Sequence, residues 1–222
     1  MNQRQQHSEE TKNHVLEFAL EQFMRHGVKS VKVDDLATDL GMSKRTLYEM
    51  FDDKETLVLE CLVQYHERKK IEFHRMKSES ENLIETYVRH YLTRIEEVRD
   101  LNPKFLEEIR KYERVKTMFD THHKRLIETG RLFLQECVDC GLLRSDINYD
   151  LVSRMADITA HAIMESELYK EYSFEEQFLS LDLPYLRGMC TEKGLLALET
   201  CMKKYKLNEN ENDNDNENDV TK

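Results

Sequence analysis

Apolar positions recur at helical spacing along nearly the whole chain. Over residues 11–26, Val15, Leu16, Phe18, Ala19, Leu20 and Phe23 share one helix face, and Gly27 follows where a C-terminal cap belongs. Val31 and Val33 lead into a short segment, 34–40, whose inward positions are Leu36, Ala37 and Leu40. Gly41 interrupts the pattern, and Ser43 is placed to cap a third short helix over 44–51. Asp52 or Asp53 then caps a long amphipathic run from 54 to about 77.

Beyond residue 78 the segments are longer. Ser80 heads a capping-box-like start, followed by Leu83, Ile84, Tyr87, Val88, Tyr91, Leu92 and Ile95 on one stripe. Asn102-Pro103 ends that helix, and Pro103 suits the first turn of the next, over 103–115. A further helix is predicted over 118–140, closed by Gly141, and Asn148 or Asp150 caps its successor. Two final helices are expected at about 149–171 and 184–206, the second introduced by Pro184. Nothing alternates long enough for a strand, and no unit of 20 to 50 residues repeats, so the fold class is all-α.

Composition agrees. Of 222 residues, 35% are charged and only six are Gly and two Pro, so helix formers dominate. No apolar window of about 18 residues marks a membrane span, and MNQRQQHSEE lacks the apolar core of a signal peptide. A cytoplasmic protein with reduced thiols at Cys61, Cys137, Cys140, Cys190 and Cys201 is therefore expected. The net charge of −11 argues at first against a nucleic-acid partner. Its distribution weakens that objection, because the last fifteen residues hold six acids against Lys222 and contribute −5. The chain divides on this reading into a flexible N-terminus (1–9), a helix–turn–helix domain (10–55), a helical regulatory domain (56–207) and an acidic disordered tail (208–222).

A longer helix followed by two short ones across a glycine turn is the trihelical helix–turn–helix pattern. Helices this short cannot stand alone in water, so Leu36, Ala37, Leu40, Leu47 and Phe51 must share a core with Phe18, Ala19 and Phe23. That leaves Lys44, Arg45, Thr46 and Tyr48 on the outside. Two cations at a helix N-terminus oppose its partial positive charge, which makes sense when the helix end meets a polyanion. Arg45 has the fork that reads guanine, and Thr46 suits a thymine methyl or an acceptor. Lys44, Tyr48, Lys54 and the Ser43 hydroxyl suit phosphates.

The stretch VKVDDLATDLGMSKRTLYEMFDDKETLVLECL resembles the DNA-binding segment of the TetR family of bacterial transcriptional regulators. The likeness runs from about residue 10 to 62. It rests on the small residue before the third helix, the triplet Thr46-Leu47-Tyr48, Phe51 three positions later and Lys54 opening the fourth helix. The family commonly has Ser or Thr just before the second helix, whereas Lys32 and Val33 stand here, so Lys32 would supply that phosphate contact by charge.

The resemblance implies a homodimer on a palindromic double-stranded operator, with repression relieved by a small-molecule effector, apolar or amphipathic, in the C-terminal domain. The effector would shift the fourth helix and so the spacing of the two recognition helices. An alternative is a C-terminal domain that docks a protein partner. By the same resemblance the last two helices would pair with their symmetry mates, with Met155, Ile158, Ala162, Leu195, Leu198 and Met202 contributing.

Other constellations carry less. Cys137 and Cys140 stand at i, i+3 and read first as buried structural thiols, redox sensing being the lesser reading. Adjacent His122 and His123 diverge by about 100° on a helix. A metal would need Glu108 or His161 as well. Phe105, Met118, Phe119, Phe133, Met155, Met164, Tyr169 and Phe178 read as core before pocket lining. No phosphate loop, G-x-S-x-G, H-E-x-x-H or carboxylate pair is present, so no catalytic residue, metal or cofactor is expected and the protein reads as a non-enzyme.

Overall fold

A computed structural model describes residues 3–99 and 101–207, so the acidic tail lies outside the described residues. Its helices, in chain order, are α1 (Gln3–His26), α2 (Val33–Asp39), α3 (Lys44–Met50), α4 (Lys54–Glu79), α5 (Leu83–Arg99) and α6 (Pro103–Ile109). They are followed by α7 (Glu113–Asp139), α8 (Tyr149–Glu165), the single turn α9 (Phe174–Gln177), α10 (Leu183–Met189) and α11 (Glu192–Lys204). The chain is all-α. Among the described residues, none of these helices is long and apolar enough to cross a membrane.

Several boundaries depart from the periodic pattern, each for a local reason. Residues 3–9, expected to be flexible, belong to α1. Ser80 ends α4, and the start of α5 is instead satisfied by Asn82, whose Oδ1 accepts from Glu85 N at 3.0 Å. The break expected near 116 falls at 110–112, so Val115 packs as part of α7. Cys140 is the C-cap of α7 and exposed, so the two thiols of that spacing do not share a buried face. α8 stops at Glu165, and a 3-10 turn, Leu168–Lys170, begins after Glu167 at φ 57°. A π-turn, Phe178–Asp182, then leads directly into α10.

The last predicted helix is split at Cys190 and Thr191. There the chain runs alongside the loop after α7: Thr191 N donates to Leu142 O at 3.0 Å and Arg144 N to Met189 O at 2.9 Å. Thr191 Oγ1 caps both ways, donating to Gly141 O at 2.8 Å and accepting from Gly194 N at 3.1 Å. This crossing explains Gly194. A Cβ there would stand 2.0 Å from Leu142 O, far inside contact distance.

Burial divides into two cores. The first gathers α1 to α4 around Phe23, Leu36, Leu47 and Leu57, and it also takes in Phe105 and Ile109 from α6 and Val115 from α7. The second joins α5, the end of α7, α10 and α11 around Ile84, Leu143, Leu186 and Leu198. Cys137, Cys190 and Cys201 belong to the second core, where burial pushes Cys137 up to about 12 and Cys190 and Cys201 to about 11. Thiols so disfavoured as thiolates are poor nucleophiles.

One buried carboxylate ties the second core together. Glu85 is 3% exposed. Burial alone would raise it, yet Lys204 Nζ at 2.7 Å, Glu81 N at 2.7 Å and Tyr205 Oη at 2.8 Å all donate to it and hold it at about 2. Charge-assisted bonds of this kind fasten the end of α11 to the start of α5.

Candidate nucleic-acid interface

The turn between α2 and α3 is built from three local features. Gly41 sits at φ +63°, the left-handed region that a side chain disfavours. Gly41 N donates to Thr38 O at 3.0 Å and Met42 N to Ala37 O at 2.8 Å, which satisfies the end of α2. Ser43 is extended at ψ 143°, and its Oγ accepts from Thr46 N at 3.0 Å, capping α3. Leu36, Ala37, Leu47 and Phe51 then face inward as expected, while Leu40 and Phe18 are only partly covered.

On the outer face, the Arg45 side chain is 87% exposed and pairs with Glu49 one turn on, at 2.7 Å. Tyr48 is 48% exposed. Lys44 reaches back to Asp34 of α2, and that bond raises its pKa. Thr46 is half-buried, its Oγ1 2.7 Å from Ser43 Oγ. Lys32 is exposed and heads α2 without a side-chain cap bond. Ser43, Lys44, Arg45, Thr46 and Tyr48 thus stand together at one end and one face of α3, with Lys32 preceding α2.

Lys54 is placed differently. Its Nζ donates to Val31 O and lies 5.9 Å from the Phe23 ring centroid. Burial lowers its pKa, with Glu108 acting in the opposite sense. Its ammonium braces the α1–α2 connection against α4.

The periodic pattern missed how α6 grips this domain. Lys29 N donates to Glu108 Oε2 at 2.7 Å, and Asn102 bonds Met24 O at 2.9 Å and Arg25 O at 3.1 Å. Arg114, at the start of α7, bonds Glu55 Oε1 at 3.1 Å through its N–H and Thr56 Oγ1 at 2.9 Å through its guanidinium. These partners are 58 to 79 residues apart, so no local spacing could show them.

In the second domain, Leu151, Met155 and Ile158 are exposed along α8, with Ala162 one turn further, and Leu195 and Leu196 are exposed on α11. Leu198 and Met202, expected on the same outer surface, are instead core residues at full burial. Phe105, Phe133 and Phe178 are likewise core. Among the described residues no group of three metal ligands forms, and His122 stacks on His66 rather than facing Glu108 or His161. The His123 side chain lies outside what is described.

Residues 15–61 match the family model for bacterial regulatory proteins of the tetR family. No curated protein sequence matches the chain. Among solved structures, a TetR-family transcriptional regulator from Agrobacterium tumefaciens superposes with a TM-score of 0.65 at 17% identity, over 82% of this chain and 99% of the other. The ketosteroid transcriptional regulator of Mycobacterium tuberculosis gives 0.52 at 18% identity, over 82% and 95%. A γ-butyrolactone receptor gives 0.61 at 15% identity, over 90% and 98%. Identities this low speak for a shared fold, and the matched N-terminal segment speaks for the family. That segment carries the helix–turn–helix just described, so residues 15–61 are similar to the DNA-binding segment of the tetR family of bacterial regulatory proteins, and the whole chain shares the fold of solved TetR-family regulators.

Proposed function

We propose that the protein is a homodimeric repressor of a palindromic operator, released by a small-molecule effector held in the C-terminal domain. The observation that carries the DNA-reading part is the state of α3. Leu47 holds the helix in the core while Arg45 and Tyr48 are exposed on its outer face. Arg45 and Lys44 are paired with the exposed carboxylates of Glu49 and Asp34, and such surface pairs are weak enough to exchange for phosphates and bases. On this reading Arg45 reads a guanine edge, Thr46 a thymine methyl or acceptor, and Lys32, Ser43, Lys44 and Tyr48 anchor the backbone. Lys54 sets the position of α4 beneath them.

The dimer part is supported by the uncovered stripe of Leu151, Met155 and Ile158 on α8, and by the exposure of Leu195 and Leu196 on α11. Clustered apolar exposure of this kind marks an interface. A two-fold dimer places two copies of α3 at a fixed separation, which must match about one duplex turn or a multiple. Release follows if the effector alters the α6 and α7 contacts that hold α1 and α4. The similar fold of a γ-butyrolactone receptor fits a C-terminal ligand domain.

Operator selection from random duplexes, followed by footprinting, tests the reading. A palindromic footprint that Arg45→Ala weakens at one symmetric base pair supports it. Binding to single half-sites with unchanged strength in an Ile158→Glu variant, which would be monomeric, overturns the dimer.

A further inference from the structure

The two cores do not merge. Between them α4, α5 and α7 meet along a polar seam, with Tyr65 and Phe119 at the edge of the first core and Phe73 at the edge of the second. On α4, His66 stacks against His122 of α7 with ring centroids 4.3 Å apart, and Phe119 meets His66 edge-on at 5.9 Å. His66 Nε2 and His122 Nδ1 are both buried, and neither has a hydrogen-bond partner. Buried polar atoms are seldom left so, since each forfeits its bonds to water.

Charge in the seam is lopsided. Its carboxylates are already engaged: Glu97 accepts from Tyr65 Oη at 2.8 Å and pairs with Lys69, which also bonds Glu72 at 2.5 Å. Arg94 of α5 lies 5.6 Å from the Phe174 ring centroid, and no carboxylate among the described residues bonds it. His122 and Arg94 thus both oppose a charge on His66, and the one carboxylate acting the other way, Glu67 on the same helix, already faces Lys70 at 3.9 Å.

We propose that this seam is the effector site and that the effector is an amphipathic carboxylic acid, its carboxylate held by His66, His122 and Arg94 and its apolar body against Phe119 and Tyr65. The proposal rests on the reading that the C-terminal domain takes an effector, and it names the chemical class. Without the acid, burial, His122 and Arg94 push His66 down to about 4, with Glu67 on its own helix acting the other way. The His66 ring is then neutral near pH 7. A carboxylate beside them reverses the balance, so His66 takes a proton from solvent as the acid binds. Affinity therefore rises as pH falls toward neutrality.

Calorimetry on the full chain would compare octanoate with octanamide and phenylacetate with phenylacetamide, in phosphate and in Tris. We expect the acids to bind and the amides not, with up to one proton taken up per acid near pH 7. Affinity should then change up to about tenfold per pH unit. His122→Gln and the exposed Arg94→Gln should each weaken the acid at least about tenfold, with Arg94→Gln melting as the parent does.

Equal binding of amide and acid overturns the proposal, as does acid binding without proton uptake or unchanged in Arg94→Gln. Failure of every acid to bind at millimolar concentration also overturns it, as does stabilisation by Zn²⁺ alone through His66. Operator release is scored separately with a neutral metabolite panel. If a neutral compound releases the operator, the effector reading stands while the acid class falls.

Discussion

The two domains use ion pairs in opposite ways. On α2 and α3 the pairs Asp34–Lys44 and Arg45–Glu49 lie at the surface, each made by one long side chain with one carboxylate. At the junction of α5 and α11, Glu85 is buried and collects three donors from Glu81, Lys204 and Tyr205. An exposed pair is worth little and is readily traded for another anion. A buried carboxylate with three donors is costly to disturb, because each donor loses its partner at once. The same chemistry therefore gives an exchangeable surface in one domain and a fastening in the other.

That contrast can be broken from either side. The largest effect should come from closing the gap that lets α11 approach the loop after α7. Gly194→Ala forces a methyl against Leu142 O and should cost about 3 kcal/mol in urea unfolding. Glu85→Gln should cost about 2 kcal/mol and leave operator preference unchanged where the protein remains folded.

The same carboxylate predicts a pH signature. Its folded pKa, about 2, lies below its ordinary value of 4.5, so its contribution is present above about pH 4.5 and is lost as pH falls toward 2. Acid titration of the melting temperature should show that loss in the parent and a smaller one in Glu85→Gln. If both titrate alike, Glu85 is not the fastening described.

On the exchangeable side, Arg45→Ala should weaken operator binding about 30-fold, the scale of one lost bidentate base contact, while the melt is unchanged. The smallest effect is expected from Asp34→Asn. Freeing Lys44 should move the melting temperature by no more than about 2 °C, and operator affinity at low salt should hold or rise slightly. A large drop in stability there would make the Asp34–Lys44 pair structural and remove the distinction between the domains.

The helix–turn–helix was legible because its determinants are close in sequence. Gly41, Ser43, Leu47 and Phe51 lie within eleven residues of one another, and each acts on its own turn or cap. Lys54 shows the limit of that reading. Its position in the sequence suggests a cation beside the recognition helix, but its ammonium is taken by Val31 O, 23 residues earlier. Leu198 and Met202 show another. They share a helix with exposed Leu195 and Leu196, and only the packing of α11 against α5 decides which side is inward. Cys140 shows a smaller limit, since α7 ends at that residue and it is exposed while Cys137 is buried.

From sequence alone came the helical class, the glycine turn with its serine cap, the basic outer face of α3 and the resemblance to TetR regulators. These rest on periodicity and on contacts within a few residues, where backbone geometry leaves little choice. Tertiary structure decided the grip of α6 on α1, the split between α10 and α11, the burial of Glu85 and the meeting of His66 with His122. Each joins residues about 50 or more apart, and their encounter depends on how whole helices pack rather than on any spacing along the chain.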